Sequence, residues 1–199
     1  MTTKSIPLTD ELHAYLVAHG SPPDEIIRDL AEETRAVLPD RASMQIAPEQ
    51  AAFLTFLTRL LGVRQAVEVG TFTGLSSLAI ARGLADGGRL TCFDISEEYT
   101  GIARRYWERA GVDDRIELRI GPAGETLREL PHERYLDFAF IDADKTGYPI
   151  YWAELVPRMR PGGVIAVDNV LRGGRVIAPQ SADDRAIAAF NDEVLADVR

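Results

Sequence analysis

Apolar positions in the first sixty residues recur at helical spacing, broken by turn residues. Thr9 or Asp10 can cap a first helix over residues 11–19, which ends at Gly20. Ser21, Pro22, Pro23 and Asp24 read as a capping box with proline in the first turn, opening a second helix that runs to Pro39. A third helix is predicted from Pro48, with Phe53, Leu54, Leu57, Leu60 and Leu61 at helical spacing and Gly62 as its stop. The polar connection at residues 41–46 is placed to cross over a binding site.

From residue 64 the period changes, and short apolar runs alternate with amphipathic stretches. The pattern predicts strands at 66–69, 89–94, 116–120, 136–141 and 164–167, with helices at 74–85, 97–110, 122–130, 147–159 and 181–196. Five βα units in succession imply an α/β fold with a parallel sheet covered on both faces. Ligands then belong at the carboxyl ends of the strands, where the strand order reverses. No repeat or linker divides residues 1–199, so residues 1–62 are expected to be helices covering the site of a single domain whose α/β core is 63–199.

Composition narrows the classes. Lys and Arg total 22 against 31 Asp and Glu, a net charge of -9 with no long run of either sign. That disfavours a nucleic-acid groove or an anionic membrane face, both of which need clustered cations. The single cysteine, Cys92, cannot form an internal disulfide, and residues 1–12 lack the apolar segment of a secretion signal. A cytoplasmic protein is expected. His13, His19 and His132 are too scattered to suggest a zinc site.

The turn after the first predicted strand carries Gly70 and Gly74, but Phe72 and Leu75 stand where a dinucleotide-binding G-x-G-x-x-G would place its second and third glycines. Glu68 at the end of the strand would repel a pyrophosphate, and no G-K-[ST] follows to make a phosphate loop. Asp94 closes the second strand, where an acid can accept hydrogen bonds from a ribose diol, although a helix-capping role fits that position equally well. Glu68, Gly70 and Asp94 together point to an adenosine cofactor without phosphates, with S-adenosylmethionine the candidate. A tight strand-to-helix turn is the plain alternative for the two glycines alone.

The fourth and fifth strands end in Asp142 and in Asp168 followed by Asn169. If these strands are neighbours, their tips lie ~4.8 Å apart and the three side chains can converge. Two carboxylates and an amide oxygen suit a hard divalent cation, Mg2+ first, with Mn2+ or Ca2+ as alternatives. Tyr148, Tyr151 and Trp152 could wall a pocket or simply pack on the sheet.

With these residues in view, the sequence resembles the cation-dependent, S-adenosylmethionine-dependent O-methyltransferases, the group that includes caffeoyl-CoA and catechol O-methyltransferases. The matching segments are Glu-Val-Gly-Thr-Phe-Thr-Gly-Leu-Ser-Ser at 68–77, Phe-Asp-Ile at 93–95, Gly-Pro-Ala at 121–123, Phe-Ile-Asp-Ala-Asp-Lys at 140–145 and Asp-Asn-Val-Leu-Arg-Gly-Gly at 168–174. The resemblance implies a Rossmann-like class I methyltransferase fold. It implies Met44, Glu68, Gly70, Thr71, Ser76, Asp94, Ala123 and Asp142 as cofactor contacts, Asp142, Asp168 and Asn169 as metal ligands, and Lys145 with Asp142 as catalytic residues. It also implies a homodimer acting on a small phenolic or catechol-like substrate. The antiparallel strand pair that closes the sheet in this family is missing from the sequence, and residues 172–184, which help form the family's acceptor pocket, do not identify the acceptor. Two other readings stand beside this one: a catalytically silent S-adenosylmethionine-binding partner subunit, and an NAD-type oxidoreductase.

Overall fold

The computed structural model describes residues 6–199. Helix α1 (Asp10–Ala18) is capped by the Thr9 hydroxyl and buries none of its side chains. Helix α2 (Glu25–Val37) starts later than the capping-box reading had it. Pro23 disfavours helical geometry at the residue before it, so the cap falls to Asp24, whose carboxylate accepts the Ile27 N–H at 3.0 Å. Helix α3 (Pro48–Leu60) begins at its proline as expected.

Strands β1 (Gln65–Val69), β2 (Arg89–Asp94), β3 (Ile116–Ile120), β4 (Leu136–Ile141) and β5 (Met159–Val167) form one parallel sheet in the order β3-β2-β1-β4-β5. All six residues of β4 are buried, the mark of a strand covered on both faces. Helices α4 (Leu75–Gly83), α5 (Glu97–Ala110), α6 (Ala123–Thr126), α7 (Tyr148–Leu155) and α8 (Ala182–Ala196) complete the layers. The predicted helices at 122–130 and 147–159 are shorter than read, each ending in a 3-10 turn, and β5 starts at Met159. Pro161 is tolerated inside β5 because it falls in the unpaired stretch between Met159 and Val164, where its missing N–H removes no ladder bond. The sheet has five strands among the described residues, and the antiparallel pair does not lie within them.

Helix α3 is seated hard on α4. A Cβ on Gly83 would lie 2.6 Å from the Thr55 carbonyl oxygen and 2.7 Å from Thr58 Cβ, and the Thr55 hydroxyl donates to the Ala79 carbonyl at 2.8 Å. The helix that opens behind the β1 turn is thus fixed to the N-terminal layer, which brings residues 41–50 to the carboxyl end of the sheet. No helix among the described residues is long and apolar enough to cross a membrane.

Candidate active site

The strand order reverses between β1 and β4, and a cavity of about 1020 Å³ opens at their carboxyl ends. That lies at the top of the ~300–1,000 Å³ range of small-molecule sites, enough for two small molecules side by side. Gly70, Thr71, Ser76, Asp94 and Ala123 line it, and Met44 closes it from the segment at 41–47. Asp142, Lys145, Asp168 and Asn169 line the same cavity.

The floor is set by backbone contact. Gly70 has φ +93°, and a Cβ there would sit 2.1 Å from the Asp142 carbonyl oxygen, so only glycine lets the tips of β1 and β4 meet. Phe72 takes φ 51°, a conformation that strains a bulky residue by ~1–3 kcal/mol. What holds it is Asp94, whose Oδ2 accepts the N–H groups of Thr71 at 2.9 Å and Phe72 at 2.8 Å, while Oδ1 accepts Ser96 N–H at 2.8 Å. This disposes of the pyrophosphate reading on geometry, since the loop N–H groups that would cradle a phosphate are already bonded to a carboxylate. It also amends the ribose expectation. Three of the roughly four acceptor sites on Asp94 are taken, leaving about one for a diol. The competing cap for α5 is Ser96, whose hydroxyl accepts Tyr99 N–H.

Glu68 is the one expected cofactor contact that does not reach the cavity wall. It is fully buried beneath the loop, and neither carboxylate oxygen has a hydrogen-bond partner. Burial pushes its carboxyl up to about 8, with Ser76, Cys92 and Thr71 nearby offsetting part of the effect. Cys92 beside it is a core residue, its thiol pushed up by burial and by Glu68. The consequence for stability has a definite sign. From the ordinary 4.5 to about 8, the folded chain holds a proton on Glu68 that the unfolded chain has released, so stability falls as pH rises through that window. The slope is at most about 1.4 kcal/mol per pH unit. Glu68→Gln should therefore gain on the wild type steadily from pH 5 to pH 8 in thermal melts, and a constant difference between the two across that range would contradict the assignment.

At the other side of the cavity, β4 and β5 pair with Ile141 opposite Val167, which sets Asp142 beside Asp168. Burial raises the Asp142 carboxyl; Lys145 counters this, and the charge of Asp168 adds to it. Lys145 Nζ donates to Asp142 Oδ1 at 2.8 Å and to the Tyr148 hydroxyl at 2.7 Å. Tyr148 in turn donates to the Asp168 carbonyl at 3.2 Å and is buried at 0% exposure. Of the aromatic trio, Tyr151 lines the cavity with its hydroxyl on Asp144, whereas Trp152 packs on Phe190 and bonds Asp197.

The donor set suits a hard cation on its own chemistry. Asn169, in the left-handed region at φ 59°, gives its amide nitrogen to Asp168 Oδ1 at 3.1 Å, which leaves its carbonyl oxygen free. Among the described residues, Asp168 Oδ2 accepts Gln50 Nε2 alone, at 2.8 Å, and Asp142 Oδ2 has no bond. One oxygen from each of three side chains is thus available, an all-oxygen array with surplus negative charge. No group of three or more His, Cys, Asp and Glu among the described residues forms a metal cluster, so the amide of Asn169 is needed to complete this one. Sequence reasoning missed Gln50, which reads as an ordinary early helix residue, and Gln45, whose amide bonds Thr34 at 3.0 Å and Thr73 at 2.9 Å.

The Asp94-bonded glycine turn faces an oxygen-donor triad across one cavity of a parallel α/β sheet. Comparison with known proteins supplies the family. The chain matches the O-methyltransferase family over residues 18–199. It is 41% identical over 191 residues to "Probable caffeoyl-CoA O-methyltransferase 2" of Dictyostelium discoideum, covering 93% of this chain and 82% of that protein. It is 35% identical over 200 residues to caffeoyl-CoA O-methyltransferase 2 of Zea mays, covering 97% and 75%. The crystal structure of an O-methyltransferase from Bacillus cereus in complex with SAH superposes with a TM-score of 0.86 at 35% identity, covering 95% of this chain and 87% of that one. The chain belongs to the O-methyltransferase family.

Proposed function

We propose that this protein transfers the methyl group of S-adenosylmethionine to a hydroxyl of a small catechol-like or hydroxylated aromatic acceptor, with a divalent cation held by Asp142, Asp168 and Asn169. The observation that carries the reading is the single cavity in which the Asp94-bonded loop faces the Asp142, Asp168 and Asn169 oxygens. The relatives named for caffeoyl-CoA methylation and the SAH-bound neighbour support it.

The chain's own residues divide the work. Asp94 offers its remaining acceptor site to the ribose, the Gly70 to Gly74 turn gives a close backbone surface, and Met44 covers the bound cofactor. A bound cation would supply Lewis-acid stabilisation of the ionised acceptor hydroxyl and a template for its orientation. Lys145, on the cavity wall between Asp142 and Tyr148, is the group placed to take the hydroxyl proton when its amine is neutral. Holding the reacting atoms at ~3–3.5 Å removes much of the entropy cost of a bimolecular step.

Loss of a charge-assisted bond to ribose costs ~1.5–3 kcal/mol, one to two decades in affinity. Titration calorimetry with S-adenosylhomocysteine should show that loss for Asp94→Ala and a smaller one for Asp94→Asn, while NADH gives no heat. Unchanged affinity in Asp94→Ala, or binding of NADH in its place, removes the cofactor assignment. A silent partner subunit is separated by the product: transfer of one methyl mass to any member of a metal-supplemented diphenol panel is expected.

The proposal includes a cytoplasmic homodimer. Phe53, Phe56 and Leu60 follow one another on the outer face of α3, each more than half exposed at 56%, 59% and 67%, and a second copy would cover them. Light scattering at micromolar concentration should return twice the chain mass, and a single-chain mass ends that part of the reading.

A further inference from the structure

We propose that Gln50 is a positioning residue of the cation site, its side-chain amide holding the Asp168 carboxylate by the bond to Oδ2. The inference rests on the cation reading above and adds a residue from outside the strand tips. Among the described residues, Asp168 is reached by two side-chain amides. Asn169, its neighbour in sequence, takes Oδ1, and Gln50, 118 positions earlier, takes Oδ2 at 2.8 Å. Without Gln50, no hydrogen bond from a described residue beyond the adjacent one restrains rotation of that carboxylate. The donor also stands on a rigid support. Gln50 lies in the first turn of α3, which the Thr55 bond and the close approach of Gly83 fix against α4.

The same stretch of chain makes a second bridge five positions earlier. Gln45 bonds Thr34 of α2 and Thr73 of the cofactor loop, both with 0% exposure. One amide therefore serves the cofactor loop and the other the oxygen triad, which gives the two residues opposite expectations. Groups that orient metal ligands typically alter metal affinity 10–100-fold when removed.

The test is an electron paramagnetic resonance titration of Mn2+ into the protein without acceptor, alongside calorimetry of S-adenosylhomocysteine. Gln50→Leu should weaken Mn2+ binding by about 10–100-fold and leave S-adenosylhomocysteine within about twofold of wild type. Gln45→Leu should do the reverse. Gln50→Met, similar in length and equally unable to donate, must repeat the Leu result if lost packing is not the cause. Wild-type Mn2+ affinity in either Gln50 variant overturns the role of Gln50 alone, whereas a wild-type protein that binds no Mn2+ overturns the cation reading with it.

Discussion

Excess EDTA should abolish methyl transfer while S-adenosylhomocysteine continues to bind, and added Mg2+ or Mn2+ should restore the rate. The expectation comes from the acid chemistry of the acceptor and the charge balance of the site. A phenol ionises near ~10, so at neutral pH about one molecule in a thousand is the nucleophile, and loss of its activation alone costs about 10³-fold. Asp142 and Asp168 face one another with Lys145 as the cation bonded to either, through Asp142 Oδ1 only. Two carboxylates against one bonded ammonium leave oxygen donors to spare for a divalent ion. Asp168→Ala should reproduce the chelated enzyme, with activity down at least 10³-fold and cofactor affinity nearly unchanged, because Asp168 makes no bond to the Gly70 to Gly74 turn. Full turnover in excess EDTA would refute the cation mechanism, and loss of cofactor binding in Asp168→Ala would show that the two halves of the cavity are not separable.

The parallel sheet was legible because strands buried on both faces read as apolar runs. The runs at 66–69 and 136–141 became β1 and β4 with little change. The acids that end them were legible for the same reason, since a charge that follows an apolar strand marks its tip. What could not be read depended on partners distant in sequence. The first half of β5, with Arg160, Pro161, Gly162 and Gly163, looks like a turn, and it belongs to a strand because pairing with β4 is made at Met159 and taken up again at Val164, with these four residues bulged between them. Glu68 was expected in the wall because it ends a strand at the site, but alternation turns its side chain into the layer beneath the loop, where it is buried without a partner. Gln45 and Gln50 have no local signature at all, because their meaning lies in Thr73 and Asp168.

Lys145→Ala should separate the base from the cation. Removing a general base typically costs ~10²–10⁴ in rate, and raising the pH should recover part of that loss as the acceptor ionises unaided. Cation binding should move differently. In the folded chain Nζ lies 2.8 Å from Asp142 Oδ1 and neutralises part of the charge that a divalent ion would meet. Without the lysine, Asp142 and Asp168 are left as two adjacent carboxylates with no cation bonded to them, an arrangement that favours a bound one. Mn2+ affinity in Lys145→Ala is therefore expected to equal or exceed that of the wild type while turnover falls, the reverse of Asp168→Ala, in which both fall together. The Tyr148 hydroxyl keeps its bond to the Asp168 carbonyl, so the floor of the site stays in place and the comparison reads the amine. Titrating Mn2+ and measuring initial rates from pH 6.5 to 9.5 on the same variant decides the matter. Unimpaired turnover would leave the cation as sole activator of the hydroxyl, and weakened Mn2+ binding would make Lys145 part of the support of Asp142 rather than a base.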